Sequence, residues 1–167
     1  MFLTSGFAII AIMKTVIRIA TLDDLPALSD LGTELMISEK NFDPQYNQQW
    51  YHSAAGKKYL LREVSGKNHI CFLAEIDGRA VGYASCKMLP VDSSRPLKRA
   101  ELDNLVTSEK YRMHGIGHEL VDAFKKWAAE NGAKRIKVIV NAYNEGGIKF
   151  YENTGFREQQ RIMEAEL

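Results

Sequence analysis

Residues 69 to 89 read HICFLAEIDGRAVGYASCKML, two β-rich runs joined by Asp77-Gly78. That dipeptide supplies the positive φ angles of a tight hairpin turn, so the middle of the chain holds an antiparallel strand pair. Everything else must pack around it. Upstream, TVIRIA (15–20) is a short β-branched run that predicts a first strand. In TLDDLPALSDLGTELMISEK, Leu25, Leu28, Leu31, Leu35 and Met36 recur at helical spacing. Thr21 or Asp23 can cap this helix, and Pro26 stands where its missing N–H costs little. NFDPQY breaks it, because Pro44 disfavours helix at Asp43. A second helix of weaker periodicity is expected over about 46 to 64.

After the hairpin, LKRAELDNLVT reads as another strand. Alternation puts Glu101, Asp103 and Leu105 on one face and Leu102, Asn104 and Val106 on the other. YRMHGIGHELV then sets Gly115 and Gly117 one residue apart, ahead of a helix striped by Leu120, Val121, Phe124, Trp127 and Ala128 and stopped at Gly132. AKRIKVIVN reads as a strand, NEGGIKFYENTG as a short helix ending near Gly155, and FREQQRIMEAEL as a final strand. The order β-α-α-β-β-β-α-β-α-β describes a mixed α/β sheet with helices packed on it. A length of 167 residues suits one such domain, and no repeat or low-complexity tract argues for a second.

Charge narrows the function classes. With 22 basic and 21 acidic residues the net charge is +1, which gives no general electrostatic case for nucleic acid or membrane binding. Cys71 and Cys86 fall in apolar runs and match no metal spacing, so they read as reduced, buried thiols of a cytoplasmic protein. The opening MFLTSGFAIIAI is shorter than the ~20 residues a spanning helix needs. It also lacks the basic region and cleavage site of a signal peptide. Residues 1–14 are therefore expected to be an apolar extension, and 15–167 the single domain.

The glycine segment carries the chemistry. A strand, then Arg112-x-x-Gly115-x-Gly117, then a helix offers free N–H groups and the positive end of a helix dipole to an anion. Glycine removes the Cβ that would hold a phosphate off, and Arg112 adds a fixed positive charge. Two glycines can also simply make a tight turn. A Walker loop needs Gly-Lys-Ser/Thr, but Gly117 precedes His118 and Glu119. A dinucleotide fingerprint needs a third glycine, where Leu120 stands. Neither His114 nor His118 has a partner at metal-ligand spacing, so no metal is expected.

LVTSEKYRMHGIGHELV resembles the acetyl-CoA-binding segment of the GNAT superfamily of N-acetyltransferases, and NEGGIKFYENTGF resembles that superfamily's second signature. The likeness spans about residues 15 to 167 and implies an α/β (α+β) fold: a mixed, mostly antiparallel central sheet with splayed central strands and helices on both faces. It further implies that the backbone from Arg112 through Met113, His114, Gly115 and Ile116 to Gly117 cradles the coenzyme A pyrophosphate. The pantetheine arm would pair with the strand at Leu105, Val106 and Thr107, an amide near Leu105 would polarise the thioester, Asn144 would contact the arm, and Tyr151 would protonate the leaving thiolate.

An amine of pKa ~10.4 is almost wholly protonated at neutral pH, so transfer needs a base. Glu101 and Asp103 are the candidates, and the resemblance does not choose between them; each can equally be a solvent-facing strand residue. Asn144 can instead cap a helix, and Tyr151 can be an amphipathic helix residue. The acceptor pocket implied by the resemblance includes Glu39, Asp43, Tyr46, Trp50 and Tyr51, acids and aromatics that suit a cationic amine, more often a small molecule than a protein; the same composition also describes an ordinary helix–loop–helix. The expected partners are acetyl-CoA and that amine, with a homodimer possible. A non-catalytic acyl-CoA-binding module and a nucleotide-binding domain are the other readings.

Overall fold

The structure is a computed structural model describing residues 14–165. The apolar extension expected over 1–14 thus lies, apart from its last residue, outside the described residues. In chain order come β1 (Thr15–Ile19), α1 (Leu25–Glu39), α2 (Ala54–Ser65), β2 (His69–Ile76), β3 (Arg79–Leu89), β4 (Arg99–Thr107), α3 (Ile116–Glu130), β5 (Arg135–Val138) and α4 (Glu145–Asn153). The five strands form one sheet in the order β1-β2-β3-β4-β5. The first four pair antiparallel, and β5 joins β4 in parallel. At the central hairpin Asp77 has φ 50° and Gly78 has φ 72°, the turn that Asp-Gly dictates.

Both faces of the sheet are covered. On one, Leu28 and Leu31 of α1, Leu60 of α2 and Tyr51 from the segment between them are buried with Cys71, Leu73, Tyr83 and Val106. On the other, the α3 stripe of Leu120, Val121, Phe124 and Ala128 packs on Ala84, Cys86, Ala100 and Leu102, with Phe150 and Tyr151 of α4 at its border. The start of α1 is pinned by charge. Arg18 of β1 bonds both Asp24 oxygens at 2.7 Å and Glu75 of β2 at 2.6 Å. Asp24 also accepts the Thr21 amide at 2.7 Å, so Thr21 opens a 3₁₀ turn (Leu22–Asp24) ahead of α1.

Three expectations are corrected. The second helix begins at Ala54 rather than near 46, because Ser53 is extended (ψ 163°) and its hydroxyl accepts the Gly56 amide as an N-cap. Residues 46–53 instead form turns and a 3₁₀ segment, Trp50–His52. The final strand is not formed: residues 156–165 have no regular structure. Strand pattern alone does not make a strand without a partner edge, and here the bonds run back locally. Phe156 N–H donates to Tyr151 after Gly155 turns at φ 92°, and Arg161 pairs with Glu158. Lastly, strict alternation along β4 fails. Ser85 pairs with Asn104 but Cys86 pairs with Leu102, leaving Asp103 as the extra residue of a β-bulge. Leu105 therefore joins Leu102 on the α3 face, while Asp103 and Asn104 both turn toward α2.

Candidate active site

β5 pairs with β4 only through Leu102↔Val138, whereas β4 continues to Thr107. Beyond Leu102 the edge of β4 that faced β5 is therefore left without a strand partner, where the two strands part. In this stretch Leu105 is half-buried against the α3-side core, and Val106 is buried on the other face. The edge leads into the glycine loop. Glu34 of α1 fixes the turn between them by accepting from the Ser108 hydroxyl (3.1 Å) and the Glu109 amide (3.3 Å). Arg112 Nε donates to the Thr107 carbonyl (3.2 Å), and Nδ1 of His114 lies 2.7 Å from the Arg112 carbonyl.

Two residues in this loop take left-handed backbone, Met113 at φ 64° and Gly115 at φ 84°. A Cβ on Gly115 would meet nothing within 4 Å, so the glycine serves the backbone turn and leaves the space beside it open. Gly117 has a packing reason: a Cβ there would lie 3.2 Å from the Phe150 ring of α4. Among the described residues, the amides of Met113, His114, Gly115, Ile116 and Gly117 meet no acceptor, while His118 and Glu119 already bond back to Gly115. Unpaired N–H groups at a helix start are where an anion can be held.

Across from the loop, Tyr151 sits between Phe150 (5.3 Å) and Phe156 (5.7 Å), with rings edge to face. Burial, then the negative charge of Glu39, pushes its phenol above the ordinary range. The phenol therefore keeps its proton at neutral pH. Asn144 caps α4, its Oδ1 accepting the Gly147 amide at 2.8 Å. Its capping role is thus explicit.

The strand carboxylates sit in different surroundings. Glu101 is buried, and Lys137 of neighbouring β5 reaches its Oε2 at 3.1 Å. Asp103 takes Lys87 Nζ on Oδ1 at 2.6 Å and the Tyr59 hydroxyl on Oδ2 at 2.6 Å. Burial works to raise the Asp103 carboxyl, but the Lys87 and Tyr59 bonds outweigh it and hold it below its ordinary value. Asn104 extends the network to the Tyr59 hydroxyl and, at 3.1 Å, to Ser85.

This network floors a cavity of about 470 Å³ whose walls include Asp43, Tyr46, Trp50, Tyr51, Tyr59 and Asp103. Four of the five residues expected at an acceptor pocket thus converge, and Glu39 stands beside them, its charge felt by Tyr46. Tyr59, Lys87 and Glu34 were not foreseen. Tyr59 carries a local signal, being an aromatic one turn before Glu63 on α2. Lys87 and Glu34 act through cross-chain contacts that no local pattern reveals. Among the described residues, no three His, Cys, Asp or Glu side chains gather as a metal site, and no helix is long and apolar enough to cross a membrane.

Known proteins resemble this chain in sequence and in fold. The chain is 26% identical over 151 residues to an uncharacterized N-acetyltransferase, MJ1207, of Methanocaldococcus jannaschii, covering 87% of this chain and 62% of that one. It is 32% identical over 93 residues to the N-alpha-acetyltransferase MAK3 of Arabidopsis thaliana, covering 56% of this chain and 47% of that one. It thus spans less than two thirds of the length of either relative. An aminoglycoside N-acetyltransferase, AAC(6')-Iy, solved in complex with CoA, superposes with a TM-score of 0.70 at 19% identity, covering 92% of this chain and 95% of that one, and so has the same fold. The family model described as "Acetyltransferase (GNAT) family" matches residues 30–156, and with its five-stranded, mostly antiparallel sheet the chain belongs to the GNAT acetyltransferase family.

Proposed function

We propose that the protein is an acetyl-CoA-dependent N-acetyltransferase that moves the acetyl group directly onto a primary amine. The observation that carries this reading is the β4 edge beyond Leu102, left without a strand partner, running into the unpaired amides at the start of α3. A pantetheine arm is a chain of amides that can pair with that edge, and its pyrophosphate is the anion that suits the loop. In this reading Arg112 adds charge beside the phosphates, and an amide near Leu105 polarises the thioester carbonyl. Tyr151 returns a proton to the departing thiolate. Asn144 supports the arm through the position of α4 that it caps.

The acceptor is a cationic amine, a small molecule in preference to a polypeptide. Asp43 and Asp103 line the cavity with four aromatic rings, and among the described residues Lys87 reaches Asp103 from outside that lining, so acids and rings together suit an ammonium group by charge and cation–π contact. Of the two strand carboxylates, Asp103 lines that cavity and Glu101 does not. A relative named an N-alpha-acetyltransferase and a fold neighbour named an aminoglycoside N-acetyltransferase both point to amines, and the cavity's aromatic walls favour the compact ligand.

Thiol release from acetyl-CoA across a panel of polyamines, aminoglycosides, amino-acid amides and short peptides tests the proposal. Turnover with small amines is expected. Coenzyme binding without thiol release for any amine would leave an acyl-CoA-binding module instead.

A further inference from the structure

The polar side chains at the cavity floor form a network with one direction. Asn104 Nδ2 donates to the Tyr59 hydroxyl and, at 3.1 Å, to Ser85 Oγ, so both of its amide hydrogens are engaged. Tyr59 in turn donates its single hydrogen to Asp103 Oδ2 at 2.6 Å, and Lys87 Nζ reaches Asp103 Oδ1 at 2.6 Å. With the phenol hydrogen on Asp103, the fully buried Ser85 hydroxyl, 3.4 Å away, can only donate to Tyr59. The donors of the network thus converge on one carboxylate. What remains is acceptors. No hydrogen bond reaches Asn104 Oδ1 among the described residues, and of the roughly four lone-pair sites of a carboxylate, Lys87 and Tyr59 fill one on each Asp103 oxygen.

Tyr59 sets this direction, and Tyr59, Asp103 and Asn104 all line the cavity. Its ring packs with Trp50 at 5.3 Å and Tyr51 at 6.1 Å, and the Arg62 guanidinium lies over it at 5.1 Å. Arg62 is itself held by the fully buried Glu63, whose Oε1 accepts from Arg62 Nε at 3.2 Å and Nη2 at 3.0 Å. Burial, then the charges of Glu63 and Asp103, keeps the phenol protonated, so it donates to Asp103 rather than accepting. We propose that Tyr59 is a specificity-determining residue of the acceptor cavity: the floor it organises selects a cation by its N–H hydrogens, taking a primary ammonium in preference to a methylated one. This rests on the reading of that cavity as the acceptor site.

Two forces could hold a cation here, and they rank cations in opposite order. A cage of aromatic faces takes a quaternary ammonium readily, because its attraction needs no hydrogens. Open lone pairs favour a group that brings hydrogens to them. The geometry points to the second. Trp50 meets Tyr51 edge to face at 5.0 Å and Arg62 covers the Tyr59 ring, so these rings contact their neighbours rather than standing apart round a cation. Lys87 also offsets much of the Asp103 charge, which leaves hydrogen-bond direction, rather than bare charge, to discriminate. A quaternary ammonium has no lone pair to acetylate, so the floor turns away cations that cannot react.

The test titrates butylammonium and butyltrimethylammonium at neutral pH into wild type, Tyr59→Phe and Asp103→Asn, each saturated with coenzyme A, by ligand-observed NMR, with a thermal melt of each protein. In the wild type the primary ion should bind at least about tenfold tighter, the scale of one charge-assisted hydrogen bond. Tyr59→Phe keeps the ring and its packing but frees Asn104 to turn N–H groups toward the cavity, and should bring the two ions within about threefold of each other. Asp103→Asn should do the same. A trimethyl ion that binds the wild type as tightly as the primary one overturns the proposal. So does a Tyr59→Phe that weakens both ions equally and leaves their ratio unchanged, which would assign Tyr59 to packing alone. Failure of both ions to bind the wild type overturns it as well. A preserved preference in a protein that releases no thiol from acetyl-CoA with any amine would instead overturn the acetyl-transfer reading and leave the floor as a binding site.

Discussion

Helix propensity and packing give opposite signs for Gly56→Ala. Gly56 lies in the first turn of α2, where alanine should gain about 1 kcal/mol over glycine. A Cβ there, however, would lie against the Trp50 carbonyl oxygen, 2.6 Å from Tyr51 Cα and 2.9 Å from the Trp50 carbonyl carbon. These are backbone atoms and cannot rotate away. The 3₁₀ segment Trp50–His52 would have to move off α2. That motion would break the bonds from the Ser53 amide (3.0 Å) and hydroxyl (2.5 Å) to Trp50 O and strain the Ser53 cap on Gly56 N (3.1 Å). Losing the cap costs about 1 kcal/mol, and overpacking adds about 1–3 kcal/mol. After the propensity gain is subtracted, the net loss is about 2 kcal/mol, or roughly 4–8 °C in Tm for a chain of this size. Because Trp50 and Tyr51 wall the cavity, KM for the amine should rise while KM for acetyl-CoA stays put. Thermal melting by circular dichroism and two-substrate kinetics read both effects. A Tm equal to or above the wild type would show that the 3₁₀ segment yields freely and would refute the reasoning.

Tyr151→Phe should lower kcat about 10²-fold with little change in KM for acetyl-CoA; an unchanged kcat in steady-state assays would remove the acid role. Gly115→Val places a β-branched residue at φ 84°, where side chains are strained, and aims its methyls into the space the pyrophosphate would take. Calorimetry is expected to show coenzyme affinity reduced at least tenfold, about 1.4 kcal/mol, and normal binding in a folded variant would defeat that geometry. The Arg18 hydrogen bonds, opposed by burial, hold the Asp24 carboxyl down at about 2. Its stabilisation is therefore complete above its unfolded value of ~3.9 and is lost as pH falls toward 2. With the Arg18 side chain 34% exposed, solvent screening discounts that contribution to about 1 kcal/mol. Urea titrations of Asp24→Asn should accordingly show a flatter acid limb than the wild type, and parallel limbs would exclude the pair as a source of stability.

Much of the architecture was visible in local pattern. The Asp77-Gly78 turn, the α1 and α3 stripes and the strand–glycine–helix order each arise from neighbours in sequence, where period and turn chemistry act. What escaped was decided across the chain. The bulge at Asp103 exists only because β3 pairs on both sides of it, so the alternation read from LKRAELDNLVT put Leu105 on the wrong face. Segment 156–165 has strand-like residues but no partner edge, so pattern overstated it. In the candidate site, the glycine loop and Tyr151 were legible as residues, and the acids and aromatics that gather at the cavity were legible as composition. The commitment of Asp103 to Lys87 and Tyr59 was not, since three separate elements build it.

The β4 edge left without a strand partner beyond Leu102 also bears on how the protein behaves between turnovers. A row of open main-chain donors and acceptors invites another chain's strand as readily as it invites a coenzyme. Saturation with coenzyme at a hundred times its dissociation constant would add about 2.7 kcal/mol to the folded state and occupy the row at the same time. Shelf life, concentration limits and crystal quality should therefore improve together when the coenzyme is kept in the buffer, and colloidal behaviour becomes an indirect gauge of site occupancy.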